Sequence, residues 1–199
     1  MSDRLINRLA MVGVAIALVA VAMLTSAFVK VQASAAQSGP ALSSEHLYMS
    51  IVTPEQTGKA GYPAYVPTNL LLPAHATVTI TITDFDSAGP VSPRYAVVRG
   101  TVGNTISVAQ IDPSHPNVRG PSRQVKSENA NSGVAHTFTA VKLGLNVPVA
   151  PTSVTTFTIR TGGPGVYTWQ CMDPCGTGPE GMGGPMVEGG YMSGKITIQ

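Results

Sequence analysis

Charged side chains are scarce in this sequence. Lysine, arginine, aspartate and glutamate together make up 11% of the 199 residues, and the formal net charge is +2. Binding to nucleic acid depends on a strong positive field that meets the phosphate backbone, and a charge this low does not supply one. Nucleic acid is therefore excluded as a partner.

Helical periodicity and the common catalytic motifs are missing as well. Beyond the N-terminal apolar run no segment has helical spacing of its apolar residues, and there is no internal repeat. The chain has no Gly-x-Ser-x-Gly elbow and no zinc-binding His-Glu-x-x-His. The glycines in 176–190 lack the Lys-Ser/Thr and the helix of a phosphate loop, so they are expected to form tight turns. Asp84 and Asp86 are interpreted as turn-formers rather than as a catalytic acid pair.

Cysteine and tryptophan are rare, and they occur together. Both cysteines and the only tryptophan lie in a stretch that runs from Trp169 through Cys171 to Cys175, and Met182 follows shortly after. Thiolates and thioethers are soft donors that select copper or iron–sulfur centres over hard cations. Two cysteines in an exported protein are also typical of one disulfide. Both interpretations stay open, and Trp169 is expected to pack in the core.

The N-terminal region is expected to take the rest of the chain out of the cytoplasm. Residues 9–29 form an uncharged run of about twenty, enough for a helix to span a bilayer, and arginines precede it. The positive-inside rule then places the domain outside. We predict a membrane anchor over 1–32, with lipid as its partner, a linker over 33–45 and one domain over 46–199. The alternative is a signal peptide cleaved near Ala33-Ser34-Ala35, which would make the protein secreted.

The domain is predicted to be all-β. Residues 77–83 alternate strictly between threonine and β-branched apolar residues, which is typical of a strand with one buried face. Residues 95–102 and 105–111 predict a hairpin around Gly103-Asn104, whereas 54–73 and 112–133 are rich in turn residues and predict loops. Further strands are expected at 46–52, 135–141, 155–160, 166–171 and 194–199. Short strands separated by turns predict a Greek-key β-sandwich or barrel.

Three segments resemble a known family. They are 134–139 (Val-Ala-His-Thr-Phe-Thr), 143–147 (Leu-Gly-Leu-Asn-Val) and 164–171 (Pro-Gly-Val-Tyr-Thr-Trp-Gln-Cys), followed by a Cys-x-x-x-Cys-Gly loop. Together they resemble the cupredoxin superfamily, and more narrowly the copper-carrying (CuA) domain of cytochrome c oxidase subunit II. The resemblance covers about residues 70–199 and implies a cupredoxin-like β-sandwich.

The resemblance also implies a set of metal ligands. His136 would be the upstream histidine, Cys171 and Cys175 the bridging thiolates and Met182 the thioether, with Asp173 offering its backbone carbonyl. The family has a second histidine where this chain has Pro179, which carries no donor atom. Neighbouring Glu180 is a harder ligand that does not suit a copper–thiolate pair. The other histidines, His46, His75 and His115, lie far from the loop in sequence.

Two functions follow from these observations. The first is copper binding and electron transfer in the manner of an oxidase subunit II, next to a respiratory complex or redox protein that holds the reaction centre. The protein would then not be an enzyme by itself. The alternative is a copper-free cupredoxin-fold interaction or structural module with a Cys171–Cys175 disulfide. The methionines around the loop, which are Met172, Met182, Met186 and Met192, are interpreted as gap-fillers of the core or as an exposed Cu(I) collector.

Overall fold

The strands of this protein form two β-sheets that face each other across one core. A computed structural model describes residues 44–112, 114–175 and 181–199. The first sheet has the strand order β2-β1-β4-β10-β5-β6, with β7 paired to β5, and the second has the order β3-β12-β11-β8-β9. The strands are β1 Ser44–Val52, β2 Ala64–Val66, β3 Leu70–Leu72, β4 Thr77–Asp84, β5 Ile106–Asp112, β6 His115–Arg119, β7 Arg123–Val125, β8 His136–Ala140, β9 Leu145–Val149, β10 Ser153–Arg160, β11 Gly165–Gln170 and β12 Ser193–Ile198. The predicted all-β sandwich is confirmed.

Helical structure is limited to single turns in the described residues. A four-residue helix, α1, spans Pro54–Thr57. The 3-10 turns are Pro93–Tyr95, Val102–Asn104, Val141–Leu143 and Gly184–Met186. None of the helices in the described ranges is long and apolar enough to cross a membrane. The predicted anchor over 1–32 and most of the predicted linker lie outside those ranges.

Strand β4 shows how the sequence pattern builds the sandwich. Val78, Ile80 and Ile82 are fully buried on its inner face, and burial of each such side chain contributes about 1.5–3 kcal/mol. The threonines on the outer face pair with those of β10, and the hydroxyls of Thr79 and Thr158 lie 3.2 Å apart. Strand β4 pairs in parallel with β1 and antiparallel with β10. Both edges of the clearest predicted strand are therefore hydrogen-bonded.

An aromatic cluster fills the core beneath the ligand loop, the described segment 171–175 that follows β11, and Trp169 is its centre. The Trp169 ring centroid lies 4.8 Å from those of Tyr65 and Phe138, and its Nε1 donates to the carbonyl of Thr68 at 2.8 Å. The predicted core position of Trp169 is confirmed, with 1% of the residue exposed. Gly194 lies against the same carbonyl and the same indole, so a Cβ there would collide with both.

The predicted hairpin over 95–102 and 105–111 is wrong. Its second half is β5, but its first half makes only isolated bridges, from Val97 to Ser127 and from Arg99 to Asn146. Strand β5 pairs instead with β10, β6 and β7. Because these three strands pair with both edges of β5, residues 95–102 do not pair with it. Arg99 instead bridges to Asn146 of β9, in the second sheet.

Other boundaries also differ from the prediction. Strand β1 begins at Ser44, two residues inside the predicted linker over 33–45. The predicted loops contain β2 and β3 in 54–73, and β6 and β7 in 112–133. Strand β9 is absent from the prediction, because all five of its residues are buried and it lacks an alternating pattern. These are short or edge strands whose formation depends on their neighbours.

Candidate metal centre

Two adjacent strands bring an imidazole and two thiols together. His136 is the first residue of β8, and Cys171 directly follows β11. Strands β8 and β11 run antiparallel, so the start of one lies beside the end of the other. The Thr137 backbone N–H donates to Cys171 Sγ at 3.2 Å. Cys175 returns to the same place through the Asp-Pro turn that follows.

The three donor atoms form a small triangle. His136 Nδ1 lies 3.0 Å from Cys175 Sγ and 4.0 Å from Cys171 Sγ, and the two sulfurs are 3.4 Å apart. A disulfide bond is about 2.05 Å long, so this arrangement is that of two free thiols. The disulfide considered as an alternative is therefore not present in this structure.

Asp173 contributes a carbonyl oxygen on the edge of the triangle. Its backbone oxygen lies 3.7 Å from Cys171 Sγ and accepts a hydrogen bond from the Cys175 N–H at 2.7 Å. That second bond closes the turn and sets the position of the Cys175 thiol. The Asp173 side chain is buried, and burial together with the neighbouring Cys171 thiolate raises the pKa of its carboxyl to about 7.

Asp86 holds the histidine ring from the side opposite the thiols. His136 Nε2 donates to Asp86 Oδ2 at 3.3 Å, so Nδ1 is left to face the sulfurs. Burial alone would lower the pKa of His136, but Asp86 and Cys171 outweigh it and raise that pKa to about 10. The same hydrogen bond holds the pKa of Asp86 below its ordinary value. A carboxylate on the far nitrogen is the usual partner of a metal-binding histidine.

The two thiols share one negative charge unequally. Burial disfavours the Cys171 thiolate, but the S–H of Cys175, the ring of His136 and the Thr137 N–H stabilise it more, so the pKa of Cys171 lies well below its ordinary value. The adjacent Cys171 thiolate, together with burial, raises the pKa of Cys175. Cys171 is therefore the more acidic of the two thiols.

Asp84 is a buried acid that the sequence interpretation treats only as a turn-former. Its Oδ1 does accept a hydrogen bond from the Asp86 N–H, at 3.0 Å. Its Oδ2, however, is buried and has no hydrogen-bond partner among the described residues. Burial raises the pKa of this carboxyl to about 7. The alternation of β4, continued from Ile82 to 84, is the signal that could have placed this side chain inside.

The remaining positions of the predicted ligand set are Met182 and the segment at 179–180. Met182 is half-buried and packs against the core, and its role as a thioether ligand stays a prediction. Pro179 and Glu180 lie outside the described residues. Among those described, only His136, Cys171 and Cys175 form a cluster of His, Cys, Asp or Glu donors close enough to share an ion.

The other histidines and methionines have structural surroundings. His46 Nε2 pairs with the hydroxyl of Thr81 at 2.8 Å, and His115 pairs with Asp112. Met186 and Met192 are fully buried in the core, so the interpretation as an exposed Cu(I)-collecting cluster is wrong for these two. Their interpretation as gap-fillers of the core is confirmed.

The donor set fits copper. The three donor atoms lie within 4.8 Å of one another, which is compatible with ligands of a single ion, and both sulfurs and the ring nitrogen suit copper better than hard cations. His136 and Cys171 come from strand ends that are anchored in the core, and Cys175 is returned to them by a short turn.

Comparisons with known proteins add little to this picture. No family model matches the chain, and no curated protein matches it. Matching solved structures include auracyanin from Roseiflexus castenholzii, with 13% identity over 80% of this chain and 99% of that chain and a TM-score of 0.33. Rusticyanin from Thiobacillus ferrooxidans matches with 18% identity over 78% and 77% and a TM-score of 0.34. A heme-copper terminal oxidase dimer matches with 15% identity over 96% and 99% and a TM-score of 0.35. Values this low transfer neither site residues nor an activity to this chain.

Proposed function

We propose that this protein binds copper at His136, Cys171 and Cys175 and transfers electrons through it. The observation that carries the proposal is the triangle of Nδ1 and two Sγ atoms, with the other ring nitrogen held by Asp86. Three soft or borderline donors converge in a place where no disulfide forms. Met182 and the carbonyl of Asp173 complete the proposed ligand set.

The protein residues would keep the geometry fixed while the charge of the site changes. Bound copper would supply a one-electron couple between Cu(I) and Cu(II). Cys171 is completely buried, and its sulfur accepts a hydrogen bond from the Thr137 backbone N–H. Both ring nitrogens of His136 have a partner, Cys175 Sγ at Nδ1 and Asp86 Oδ2 at Nε2. Little would have to move on oxidation or reduction, which favours rapid transfer. Reaction chemistry would reside in a partner, so the protein is not proposed to be an enzyme by itself.

The finer assignment follows the sequence resemblance. We propose a relation to the CuA domain of cytochrome c oxidase subunit II, with a respiratory complex or another redox protein as partner. The N-terminal segment would anchor the protein to the cell membrane as a single pass, with the domain on the extracytoplasmic side. If that segment is cleaved, the domain would be secreted instead.

A second candidate is a copper-free interaction or structural module with this fold. Pro179 favours it, because the family's second histidine position carries no donor in this chain. In that case the dithiol would be a remnant that neither binds metal nor forms the expected disulfide.

The test is copper binding by the full-length chain, purified in detergent with reduced thiols. We expect bound copper by metal analysis and an electron paramagnetic resonance signal of Cu(II) coupled to thiolate sulfur. Two coppers with a delocalised mixed-valence signal would indicate a CuA-like centre, and one copper a mononuclear centre. Absence of bound copper and of thiolate-to-copper absorption would contradict electron transfer and leave the copper-free module.

A further inference from the structure

A pocket, which we call the acidic pocket, is lined by two of the three donor residues. It has a volume of about 390 Å³, and its lining includes His136, Cys175, Asp86 and Asp173. Cys171 is completely buried, whereas Cys175 is partly accessible. Of the two sulfurs, Cys175 is therefore the one that a molecule in this pocket can reach.

The walls of this acidic pocket are rigid. They include Pro54, Pro63, Pro90 and Pro174, and the proline ring fixes the backbone angle φ and leaves few side-chain conformations. Two side chains with carboxyl groups, Asp86 and Asp173, line the pocket together with the donors, and His136 Nε2 donates to Asp86 Oδ2. The pocket is thus a preformed opening that ends on a thiol and an imidazole, which are donors that suit Cu(I).

We propose that copper reaches and leaves Cys175 through the acidic pocket, so that the site exchanges Cu(I) with an external carrier. This inference rests on the proposed function. The occupant is a Cu(I) ion presented by a thiol, thioether or imidazole of the carrier. In the exchange, one bond from copper to the carrier breaks and one from copper to Cys175 Sγ forms. The thiol proton passes to water, and copper stays Cu(I) throughout.

The other large cavity near the ligand loop does not offer this route. This lysine groove has a volume of about 910 Å³, and its lining includes Lys142, Lys195, Val141, Val187 and Met172. His136, Cys171 and Cys175 do not line it. A cation in this groove would meet two positive side chains and no donor of the site.

Gly89 allows the acidic pocket to be narrowed without touching a donor. It lines the pocket, and a Cβ built on it has no atom within 4 Å and no left-handed backbone to strain. Its N–H bonds to the carbonyl of Val134, and any residue except proline keeps that bond. Gly162, which follows the far end of β10, has the same free space and supplies the matched control.

The experiment measures Cu(I) uptake and removal in the full-length chain with a colorimetric Cu(I) chelator. We expect Gly89→Ala and then Gly89→Leu to slow both rates progressively, by about tenfold for leucine, with unchanged equilibrium affinity. Gly162→Leu should exchange copper at the wild-type rate.

Three other outcomes would overturn the proposed function or the route through the acidic pocket. If the wild-type chain binds no copper, the proposed function fails, and the exchange route fails with it. If copper binds but Gly89→Leu exchanges as fast as wild type, only the route through the acidic pocket is overturned. Lower affinity in Gly89→Leu with an unchanged uptake rate would also overturn it, because the substitution would then have disturbed the donors rather than the access.

Discussion

The acidic pocket and the lysine groove both border the ligand loop, yet they differ in every property that matters to a metal. The pocket is lined by His136, Cys175 and two aspartates. The groove is larger and is bordered by lysines and exposed valines. Cys175 lines the first and Met172 the second, although they are three residues apart. The path of the loop thus separates a face that presents the His136 and Cys175 donors from a face that presents neither.

This difference shows what the size of a cavity alone does not reveal. The lysine groove offers more room, but its lining combines apolar, uncharged polar and lysine residues, and His136, Cys171 and Cys175 are not among them. The smaller pocket ends on a thiol and an imidazole that a carboxylate holds in place. The following experiments test whether copper chemistry is confined to the acidic side.

The strongest test compares neighbouring residues that serve the two sides, Cys171 and Met172. Cys171→Ser removes a buried sulfur, and we expect Cu(I) affinity to fall by more than about 100-fold, since loss of outer partners alone costs 10–100-fold. Met172→Leu keeps the apolar lining of the groove and should leave affinity within about twofold of wild type. Competition titrations with a Cu(I) chelator measure both. Equal losses in the two variants would contradict a site restricted to the acidic side.

Asp86→Asn tests the carboxylate that positions His136. We expect copper affinity to fall by about 10–100-fold, and Asp86→Glu to restore part of it. The proton on His136 Nε2, seen by NMR in the apo protein, should shift because its acceptor has lost its charge. Asp112→Asn is the matched control, since Asp112 pairs with the exposed His115 at 3.1 Å. Unchanged affinity in Asp86→Asn would show that the hydrogen bond does not position the ligand.

Asp84→Asn tests the buried acid through the pH dependence of folding of the apo protein. The folded-state pKa of Asp84 is about 7, whereas an unfolded carboxyl titrates near 3.9. Between these values the folded state binds a proton that the unfolded state lacks. The stabilisation that comes from protonated Asp84 is thus complete below about pH 4, and it is lost as the pH rises to about 7.

The substitution should remove this contribution. We expect the free energy of unfolding to decline less steeply between pH 4 and 7 in Asp84→Asn, by up to about 1.4 kcal/mol per pH unit. Asp173, whose pKa is also about 7, retains part of the decline. Urea unfolding across this pH range measures the effect. A decline as steep as that of wild type would mean that the surroundings of Asp84 do not disfavour its charged form.

The smallest effect is expected from substitutions of residues that line the lysine groove. Lys142→Gln and Lys195→Gln remove the positive border of the lysine groove. Both lysines are exposed, and salt at about 0.15 M screens exposed charges beyond about 8 Å. The Cu(I) uptake rate should therefore change by less than about twofold. A large acceleration would indicate that copper approaches through the groove.

The sequence predicts the parts of the molecule that depend on local pattern. The alternation in β4 is sufficient to place its inner and outer faces, and the Cys-x-x-x-Cys loop after a strand marks the donors that the structure brings together. Asp86 escapes prediction because it meets His136 across a separation of 50 residues. No local pattern reports such a contact. The prediction of a hairpin over 95–102 and 105–111 fails for the same reason, since other strands pair with both edges of β5.

The long-range pairing of this sandwich also sets the order of events during folding. Strand β12 pairs with β3, and His136 lies 35 and 39 residues before the two cysteines that it meets. Contacts between distant residues form slowly, because a long loop must close before they contribute. The imidazole and the thiols therefore meet only after β11 has been made and has paired with β8. A metal that used all three donors would bind after this pairing, at a site that already has an opening.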